Sequence, residues 1–294
     1  MTAPISCSIV IAARDAEENL AAIISALAPG MTNDTEILIC AGQGDPAGAK
    51  LPDIAGLRVI TGRRDASIPE LWRDGIVAAR GRGVGLLTAH CIPSPAWLMH
   101  LRKLDPDKRA GYGGRITEPA GTGAVSRAIH RLRYFGASAA DGAGEVDEIA
   151  ADNAFYDRDE ILRCPDLLAE GFWEPAYHAR FRARGRTLEY VPTLCVNHAN
   201  RYSARQFMQQ RRQHGRAFGR ERAEGKRAVS RWLMLIASPA VFPIFAAKVT
   251  LRILGRADLR AGFLRAAPWL YLFLANWSLG EMRGYADAAL GRGR

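Results

Sequence analysis

The sequence contains few cysteines and no close pair of them. The five cysteines are scattered along the chain without a Cys-x-x-Cys spacing. An odd, dispersed set of this kind excludes a disulfide framework and a conventional zinc site, and it indicates reduced, buried thiols in the cytosol. The first eight residues also lack a basic segment followed by a long apolar stretch. We therefore expect no signal peptide and a folded domain that faces the cytoplasm.

Long apolar runs are absent too. The C-terminal third contains two apolar segments, 232–247 and 266–279, and each is shorter than the roughly 18–20 residues of a simple spanning helix. A basic block before the first segment, cations between the two and aromatic residues near the ends of the second are typical of membrane association. Such segments can form a tilted pair, a re-entrant hairpin or in-plane helices. Core helices of a soluble protein are the alternative.

Positive charge is abundant and unevenly distributed. The formal net charge is +10 over 294 residues, and lysines and arginines crowd the stretch 201–231. Such a patch attracts nucleic acid, anionic lipid or a phosphorylated substrate. Because this patch leads into apolar segments and not into strands interleaved with aromatics, we expect an anionic membrane surface as the partner and no nucleic acid.

Strand patterns alternate with helical patterns over the first two hundred residues. Apolar strands are predicted at 5–11, 36–40, 57–60, 84–87, 112–117, 148–156 and 187–191. Helices are predicted at 15–27, 68–79, 125–135 and 175–184. This alternation predicts an α/β fold with a mostly parallel sheet flanked by helices.

The segment 85–98 is the most informative motif. It reads Gly-Leu-Leu-Thr-Ala-His-Cys-Ile-Pro-Ser-Pro-Ala-Trp-Leu, so an apolar strand runs into polar residues and then a turn. Open α/β sheets place ligands at such strand ends. The segment resembles the point in family 2 glycosyltransferases, which have the GT-A fold, where a strand delivers Asp-x-Asp to the nucleotide-sugar donor. Thr88 and His90 stand at the two Asp positions, and the resemblance implies that both lie by the donor pyrophosphate.

The replaced carboxylates leave the metal chemistry open. Mg²⁺ and Mn²⁺ prefer oxygen ligands, and a single imidazole is a softer ligand than a carboxylate. Either His90 helps to hold Mn²⁺ or Mg²⁺ together with ligands from elsewhere, or the site uses hydrogen-bond donors and arginines without a cation.

Two further strand ends carry the resemblance on the donor side. Residues 6–20 are similar to the family's first strand and the following turn, which implies that Ala12, Arg14 and Asp15 line the nucleotide pocket. After the second strand, Gln43 and Asp45 stand where the family holds the base and ribose. Helix capping is the alternative reading of Asp15. The glycines at 42, 44 and 48 also resemble a dinucleotide-binding loop, but their spacing is wrong for one.

Two motifs resemble the acceptor side of the family's site. Residues 149–158 resemble the family's Gly-x-Asn-x-x-x-Arg strand, which implies that Asp152 and Asn153 contact acceptor hydroxyls; a turn at a strand end is the alternative. Residues 170–175 match the acidic motif that supplies the catalytic base. The resemblance implies that Glu174 is the base and that Trp173 and His178 lie on the acceptor side; a carboxylate stabilising a helix N-terminus is the alternative for Glu174.

A Gln- and Arg-rich helix follows the last predicted strand. Gln209-x-x-Arg212 partly matches a Gln-x-x-Arg-Trp motif of membrane-linked family members. The resemblance implies that Arg211 and Arg212 reach the donor pyrophosphate and that the remaining arginines meet lipid headgroups.

Together these motifs predict a GT-A-like α/β domain over 1–200, a basic amphipathic helical linker over 201–231 and an apolar helical membrane-associated segment over 232–294. The resemblance implies a bacterial hexosyltransferase-type enzyme at the cytoplasmic face of the inner membrane. It would transfer a sugar, with inversion, from a nucleotide-sugar donor to a lipid-linked or glycan acceptor in cell-envelope polysaccharide or glycolipid synthesis. The alternative is a non-catalytic GT-A-like membrane-associated binding protein.

Overall fold

The computed structural model describes residues 4–14, 17–45, 51, 54–118, 121–134, 142–199, 202–255 and 257–291. The chain forms two compact units, and each is described by itself. The first comprises Met1–Pro119 and Gly136–Ala199, and the second comprises Ala120–Phe135 and Asn200–Arg294. The predicted domain boundaries at 200 and 231 stay predictions.

The first unit holds every strand in the described part of the chain. The strands are β1 (Cys7–Ala13), β2 (Thr35–Gly42), β3 (Leu57–Gly62), β4 (Gly83–Thr88), β5 (Cys91–Pro93), β6 (Gly111–Thr117), β7 (Gly144–Val146), β8 (Asn153–Asp157) and β9 (Leu188–His198). The α-helices in chain order are α1 (Leu20–Leu27), α2 (Ile68–Ala78), α3 (Trp97–Leu101), α4 (Ala124–Tyr134), α5 (Arg158–Leu162), α6 (Pro165–Ala169), α7 (Glu174–Ala183), α8 (Ala204–Ala223), α9 (Ala228–Ala237), α10 (Val241–Leu254), α11 (Ala257–Arg260) and α12 (Phe263–Ala289). Helices α4 and α8 to α12 belong to the second unit.

The strands form one mixed sheet. Their order is β3-β2-β1-β4-β8-β6-β9-β5, and β7 pairs with β9. Strands β3, β2, β1 and β4 are parallel to one another, whereas β8 runs antiparallel to β4 and β6. Parallel neighbours need a crossover, which α1 supplies between β1 and β2, whereas α2 connects β3 at the edge of the sheet to β4 on the far side of β1. The predicted α/β class is confirmed.

The central strands are covered on both faces. Strands β1, β2 and β4 are buried along their whole length, as expected of parallel strands between two helical layers. On one face, α2 approaches β1 so closely that a Cβ at Gly75 would lie 2.2 Å from Val10 Cγ1. On the other face, a Cβ at Gly85 would lie 2.8 Å from Ile9 Cδ1 and 3.2 Å from the Trp97 ring. Small residues at these positions therefore set the distance between the layers.

Some elements begin or end away from their predicted positions. The strand predicted from residue 148 begins only at Asn153, because the Asn153 N–H turns back to donate to the Ala150 carbonyl at 3.0 Å. The helix predicted from residue 15 begins at Leu20, after a 3-10 turn at Glu17–Asn19. Strand β9 continues well past the predicted end at 191, because it pairs along its length with β6 and β5.

In the second unit, α8 and α12 pack with their backbones nearly in contact. Glycines spaced four apart line both helices: Gly215, Gly219, Gly280 and Gly284. A Cβ at Gly280 would lie 2.2 Å from the Arg212 carbonyl oxygen, and a Cβ at Gly215 would lie 2.2 Å from the Trp277 carbonyl oxygen. Contacts advance together along both helices, so α8 and α12 run in the same direction. Small residues at this spacing allow so close an approach.

Ion pairs flank this glycine seam. Arg216 Nε and Arg220 Nη2 lie 2.6 and 3.2 Å from Asp287 Oδ2, and Arg222 Nη1 lies 3.8 Å from Glu281 Oε1. Both carboxylate side chains are only 3% exposed. Because a buried carboxylate is costly without a partner, these arginines of the basic helix are required inside the second unit.

The first apolar segment forms a longer helix than predicted. Helix α9, a 3-10 turn and α10 form one helical run, Ala228–Leu254, and in the described residues it is the one helix long and apolar enough to cross a membrane. Only 17% of its most apolar window is buried inside the protein. Arg231 Nη1 donates to the Ala288 carbonyl at 3.3 Å, and the Thr250 and Tyr271 hydroxyls lie 2.7 Å apart. The run is therefore antiparallel to α12.

Candidate functional site

The carboxyl ends of β1, β2 and β4 lie side by side at one edge of the sheet. Ala12 is in register with Cys40 of β2 and with Thr88 of β4. The three segments predicted to surround the donor therefore meet where parallel sheets present ligand-binding loops. Ala12 itself is buried and offers only its backbone: its carbonyl accepts from the Ala89 N–H at 3.0 Å.

The turn after β4 is held by its backbone. The Asn19 amide donates to the Ala89 carbonyl at 2.9 Å, and the Ala199 N–H donates to the His90 carbonyl at 2.7 Å. Thr88 and His90 are both nearly inaccessible to solvent. The turn that carries them is thus fixed by a neighbouring helix and by the segment after β9.

Thr88 is joined to the predicted acceptor side. Its Oγ1 donates to Asp152 Oδ1 at 2.8 Å. Asp152 lies in the turn before β8, and β8 pairs with β4. The fold thus brings together a donor-side residue and an acceptor-side residue that lie 64 positions apart.

The Glu174 carboxylate lies beside the same turn. It is the first residue of α7 and partly buried, and its Oε1 accepts from the Ala151 N–H at 3.3 Å. Burial raises the pKa of Glu174 to about 7, and the negative charges of Asp152 and Glu148 raise it further. Hydrogen bonds from two backbone amides lower the pKa and offset part of this rise. A carboxylate with a pKa near neutrality suits the work of a general base.

The other two predicted acceptor residues on this segment differ in exposure. The Trp173 side chain is 52% exposed, and its Nε1 donates to the Glu170 carbonyl at 3.1 Å. His178 is fully buried. Its Nε2 lies 3.0 Å from the Tyr156 hydroxyl and its Nδ1 lies 2.8 Å from Glu148 Oε2. Trp173 is therefore open to a ligand, whereas both ring nitrogens of His178 have protein partners.

Asn153 is fully buried and fully hydrogen-bonded. Its Oδ1 accepts from Trp97 Nε1 at 2.7 Å, and its Nδ2 donates to the Arg115 and Leu194 carbonyls at 3.0 Å each. These contacts tie β8 to α3, β6 and β9. The side chain has an evident structural role in the sheet, and Asp152 is the more accessible of the two neighbours.

The remaining donor-side residues surround the ends of β1 and β2. Arg14 Nη1 donates to the Ala66 carbonyl at 2.6 Å, just before the start of α2. Asp45 Oδ2 accepts from the Gly42 N–H at 3.0 Å and closes a turn, and Gln43 within that turn is exposed. Asp15 lies outside the described residues.

Arg211 and Arg212 belong to the second unit. Arg211 lies over the Trp277 ring, with 4.3 Å between its guanidinium carbon and the ring centroid, and burial together with the charge of Arg133 lowers the pKa of Arg211 to about 10. Arg212 Nη2 donates to Asn276 Oδ1 at 3.0 Å. Their predicted contact with the donor stays a prediction.

The strand end does not fit a divalent cation on the donor atoms described. Within the described residues, no group of three or more His, Cys, Asp or Glu side chains is placed to hold a metal ion. At the end of β4, the Thr88 hydroxyl donates to the Asp152 carboxylate. Hard cations prefer several oxygen ligands. The presence of Mn²⁺ or Mg²⁺ at this strand end stays a prediction.

Sequence reasoning missed the partners that hold the site. Glu148 and Tyr156 bracket His178, and Asp152 reaches Thr88 across the sheet. The Thr88–Asp152 contact depends on the antiparallel pairing of β4 with β8, and the two His178 contacts depend on how α7 packs. No local spacing reports either arrangement, so the sequence indicated Asp152 only as an acceptor residue and not as the partner of Thr88, and it indicated no role for Glu148 or Tyr156.

Comparison with known proteins supports the fold. The chain matches no known family model and no curated protein sequence. Among solved structures, it is similar to the mannosyltransferase PcManGT from Pyrobaculum calidifontis in complex with GDP-Man and Mn²⁺, with 14% identity, a TM-score of 0.52, and coverage of 100% of this chain and 79% of that one. At this identity the similarity establishes the fold, and the predicted glycosyltransferase-like fold is confirmed.

Two further solved structures are more distant in TM-score. A mycobacterial protein matches with 17% identity and a TM-score of 0.48, over 72% of this chain and 73% of that one. S. aureus TarS 1-349 in complex with UDP-GlcNAc matches with 12% identity and a TM-score of 0.49, over 71% of this chain and 65% of that one.

Proposed function

We propose that this chain is an inverting glycosyltransferase that moves a hexose from a nucleotide-sugar donor to a lipid-linked or membrane-proximal glycan acceptor. One observation carries the proposal. The Glu174 carboxylate accepts from the Ala151 N–H, and the next residue, Asp152, accepts from Thr88 at the end of β4. A candidate base and a candidate donor-side residue are thereby joined through two consecutive residues.

Glu174 has the properties of the base. In the proposed step, its carboxylate takes the proton of the acceptor hydroxyl while that oxygen attacks the anomeric carbon. The bond from that carbon to the nucleoside diphosphate breaks, and the diphosphate leaves with the electron pair. A base with a pKa near the working pH combines adequate basicity with the correct protonation state, and the raised pKa of Glu174 meets this condition.

The donor would lie across the strand ends. Ala12 and Thr88 are adjacent in the sheet, and Arg14 projects from the end of the same strand as Ala12. The turn with Gln43 and Asp45 follows β2. A pyrophosphate bound there needs donors of hydrogen bonds or positive charge as the leaving group departs, and the glycosyltransferase PcManGT, which shares the fold, was solved with GDP-Man.

Acceptor binding and membrane association are supported by separate features. The exposed Trp173 indole stands next to Glu174 and offers a flat apolar surface of the kind that stacks on sugars or apolar chains. The helical run Ala228–Leu254 is long and apolar enough for a membrane. Together they favour an acceptor in or near the cytoplasmic face of the inner membrane and a role in cell-envelope polysaccharide or glycolipid synthesis.

Donor binding is the first test. A thermal-shift panel of UDP, GDP, dTDP and CDP, each with and without Mn²⁺, would be run on the detergent-purified protein. A nucleotide at about 100 times its dissociation constant adds roughly 2.7 kcal/mol to the free energy of unfolding. We expect one nucleotide to raise Tm by several degrees. No shift with any of the four would contradict the proposed donor.

Catalysis is tested with Glu174→Gln and the matched control Glu170→Gln. Glu170 is exposed on the same segment, so its change alters charge without touching the site. We expect donor hydrolysis or sugar transfer to fall by at least about a hundredfold in Glu174→Gln, the scale of a lost general base, and to persist in the control. Donor binding without turnover in the wild type would instead identify the non-catalytic binding protein.

A further inference from the structure

Four arginines of α8 already have partners inside the second unit. Arg216, Arg220 and Arg222 pair with buried carboxylates of α12, and Arg211 lies against an aromatic ring. A basic helix was the expected contact for anions. Arginines elsewhere in this unit are the other candidates for binding an anion.

Three arginines surround a cavity at the start of α12. The cavity has a volume of about 470 Å³ and is lined by Arg127, Arg260, Gly262, Phe263, Leu264 and Arg265. This volume lies within the range of small-molecule sites. Arg260 and Arg265 are exposed, and neither has an ion pair with any other described residue. No described carboxylate neutralises Arg260 or Arg265, so positive charge is concentrated at the cavity.

The backbone is shaped to hold one of these guanidinium groups. Gly262 has a φ of +70°, and a Cβ there would lie 2.4 Å from Arg127 Nη1. The same guanidinium donates to the Ala261 carbonyl at 3.2 Å, so it is fixed over the first turn of α12. Gly262 is the residue before the helix, and because it has no side chain it cannot cap that turn. The N-terminus of a long helix adds partial positive charge and unpaired N–H groups.

The cavity is also partly apolar, and exposed apolar side chains occur both in its lining and on α10. Phe263 and Leu264 line it, and Leu264 is 85% exposed. Leu251 and Leu254, at the end of α10, are 72% and 44% exposed. Helix α10 leads into α11, whose last residue, Arg260, lines the cavity. A ligand with a phosphate at one end and an apolar chain at the other would match both properties.

We propose that this cavity, the α12 cavity, binds the phosphate headgroup of an anionic membrane lipid while the exposed leucines enter the acyl region. Arginine guanidinium groups bind phosphate oxygens through paired, charge-assisted hydrogen bonds. Amphipathic surfaces that combine cations with exposed apolar side chains lie in the membrane interface. This site is separate from sugar transfer and does not depend on the proposed enzyme activity.

The test is vesicle flotation of the full-length protein. Vesicles of equal parts phosphatidylcholine and phosphatidylglycerol are compared with phosphatidylcholine alone. The test variant is Arg260→Gln with Arg265→Gln, and the matched control is Arg205→Gln with Lys226→Gln, which removes the same charge at exposed positions of the same unit. Each cation at an anionic surface contributes roughly fivefold to partitioning, so we expect about a thirtyfold loss in the test variant and less than about threefold in the control.

Three outcomes would overturn the proposal. Equal losses in both double variants would mean that general basic charge attracts the membrane, and no loss in the test variant would mean that the α12 cavity is not used. The third outcome would come from titration with inorganic pyrophosphate. If pyrophosphate binds saturably, and the test variant abolishes that binding but leaves vesicle binding unchanged, the cavity belongs to a soluble phosphate compound. Thermal melts of both variants confirm that each is folded.

Discussion

Glu174 is expected to reduce the stability of the first unit at neutral pH. Its carboxyl group is partly buried, and its pKa in the folded protein is about 7, against an ordinary value of 4.5. The folded state therefore binds this proton more tightly than the unfolded state does. Stability that is fully present below pH 4.5 falls as pH rises and is lost above about 7.

The magnitude follows from the difference between the two pKa values. It corresponds to about 3 kcal/mol. Glu174→Gln removes the titration, and its amide oxygen can still accept from the Ala151 N–H. We therefore expect this variant to be about 3 kcal/mol more stable than the wild type at pH 8 and equal to it near pH 4, which is about 6–12 °C in Tm at the higher pH.

The assay is differential scanning calorimetry of wild type, Glu174→Gln and the control Glu170→Gln from pH 4 to pH 8.5. Only Glu174→Gln should show a stabilisation that grows with pH, because Glu170 is exposed. A stabilisation of the same size at every pH, or none, would refute the burial argument. If the stabilisation of Glu174→Gln grows with pH and sugar transfer is lost, Glu174 serves the reaction at the expense of stability.

Three further predictions concern packing and hydrogen bonding. Gly280→Ala places a Cβ 2.2 Å from the Arg212 carbonyl oxygen and should lower the free energy of unfolding of the second unit by about 1–3 kcal/mol. The control Gly123→Ala, whose Cβ would have no atom within 4 Å, should change that free energy by less than about 1 kcal/mol. Calorimetry measures both changes. Asp287→Asn removes the carboxylate that pairs with Arg216 and Arg220 and should cost about 2 kcal/mol in denaturant unfolding. Added salt should change this cost little, because the Asp287 side chain is only 3% exposed. Asn153→Ala leaves Trp97 Nε1 without its acceptor and should cost about 3 kcal/mol; a weaker acceptor affinity at unchanged stability would instead favour the predicted sugar contact.

The sequence was sufficient for the parts of the fold that depend on local patterns. Apolar runs predicted β1, β2 and β4. The polar residues after each run predicted that the candidate site lies at the edge of the sheet where these strands end. The contact between Thr88 and Asp152 could not be predicted, because it requires the antiparallel placement of β8 beside β4. The three hydrogen bonds of Asn153 to α3, β6 and β9 could not be predicted either, and its contact with the acceptor stays a prediction.

The second unit was harder to predict. A signal was present in the sequence, since Gly215 and Gly219, like Gly280 and Gly284, stand four residues apart. This spacing predicts close helix packing, but it does not identify which helices pair. The arginine content of α8 suggested a surface for anions. In the structure, three of those arginines pair with Glu281 and Asp287 of α12, a contact that depends on which helices pack together.

The division of the chain into units has a consequence for how the protein is synthesised. Helix α4 belongs to the second unit, although chain of the first unit precedes and follows it. Its Arg127 hydrogen-bonds to Ala261, which is 134 residues later. During translation, α4 therefore leaves the ribosome long before its packing partners, while the first unit can complete its sheet at β9. The apolar face of α4 must remain uncovered for that interval, which makes it a natural binding site for a chaperone on the nascent chain.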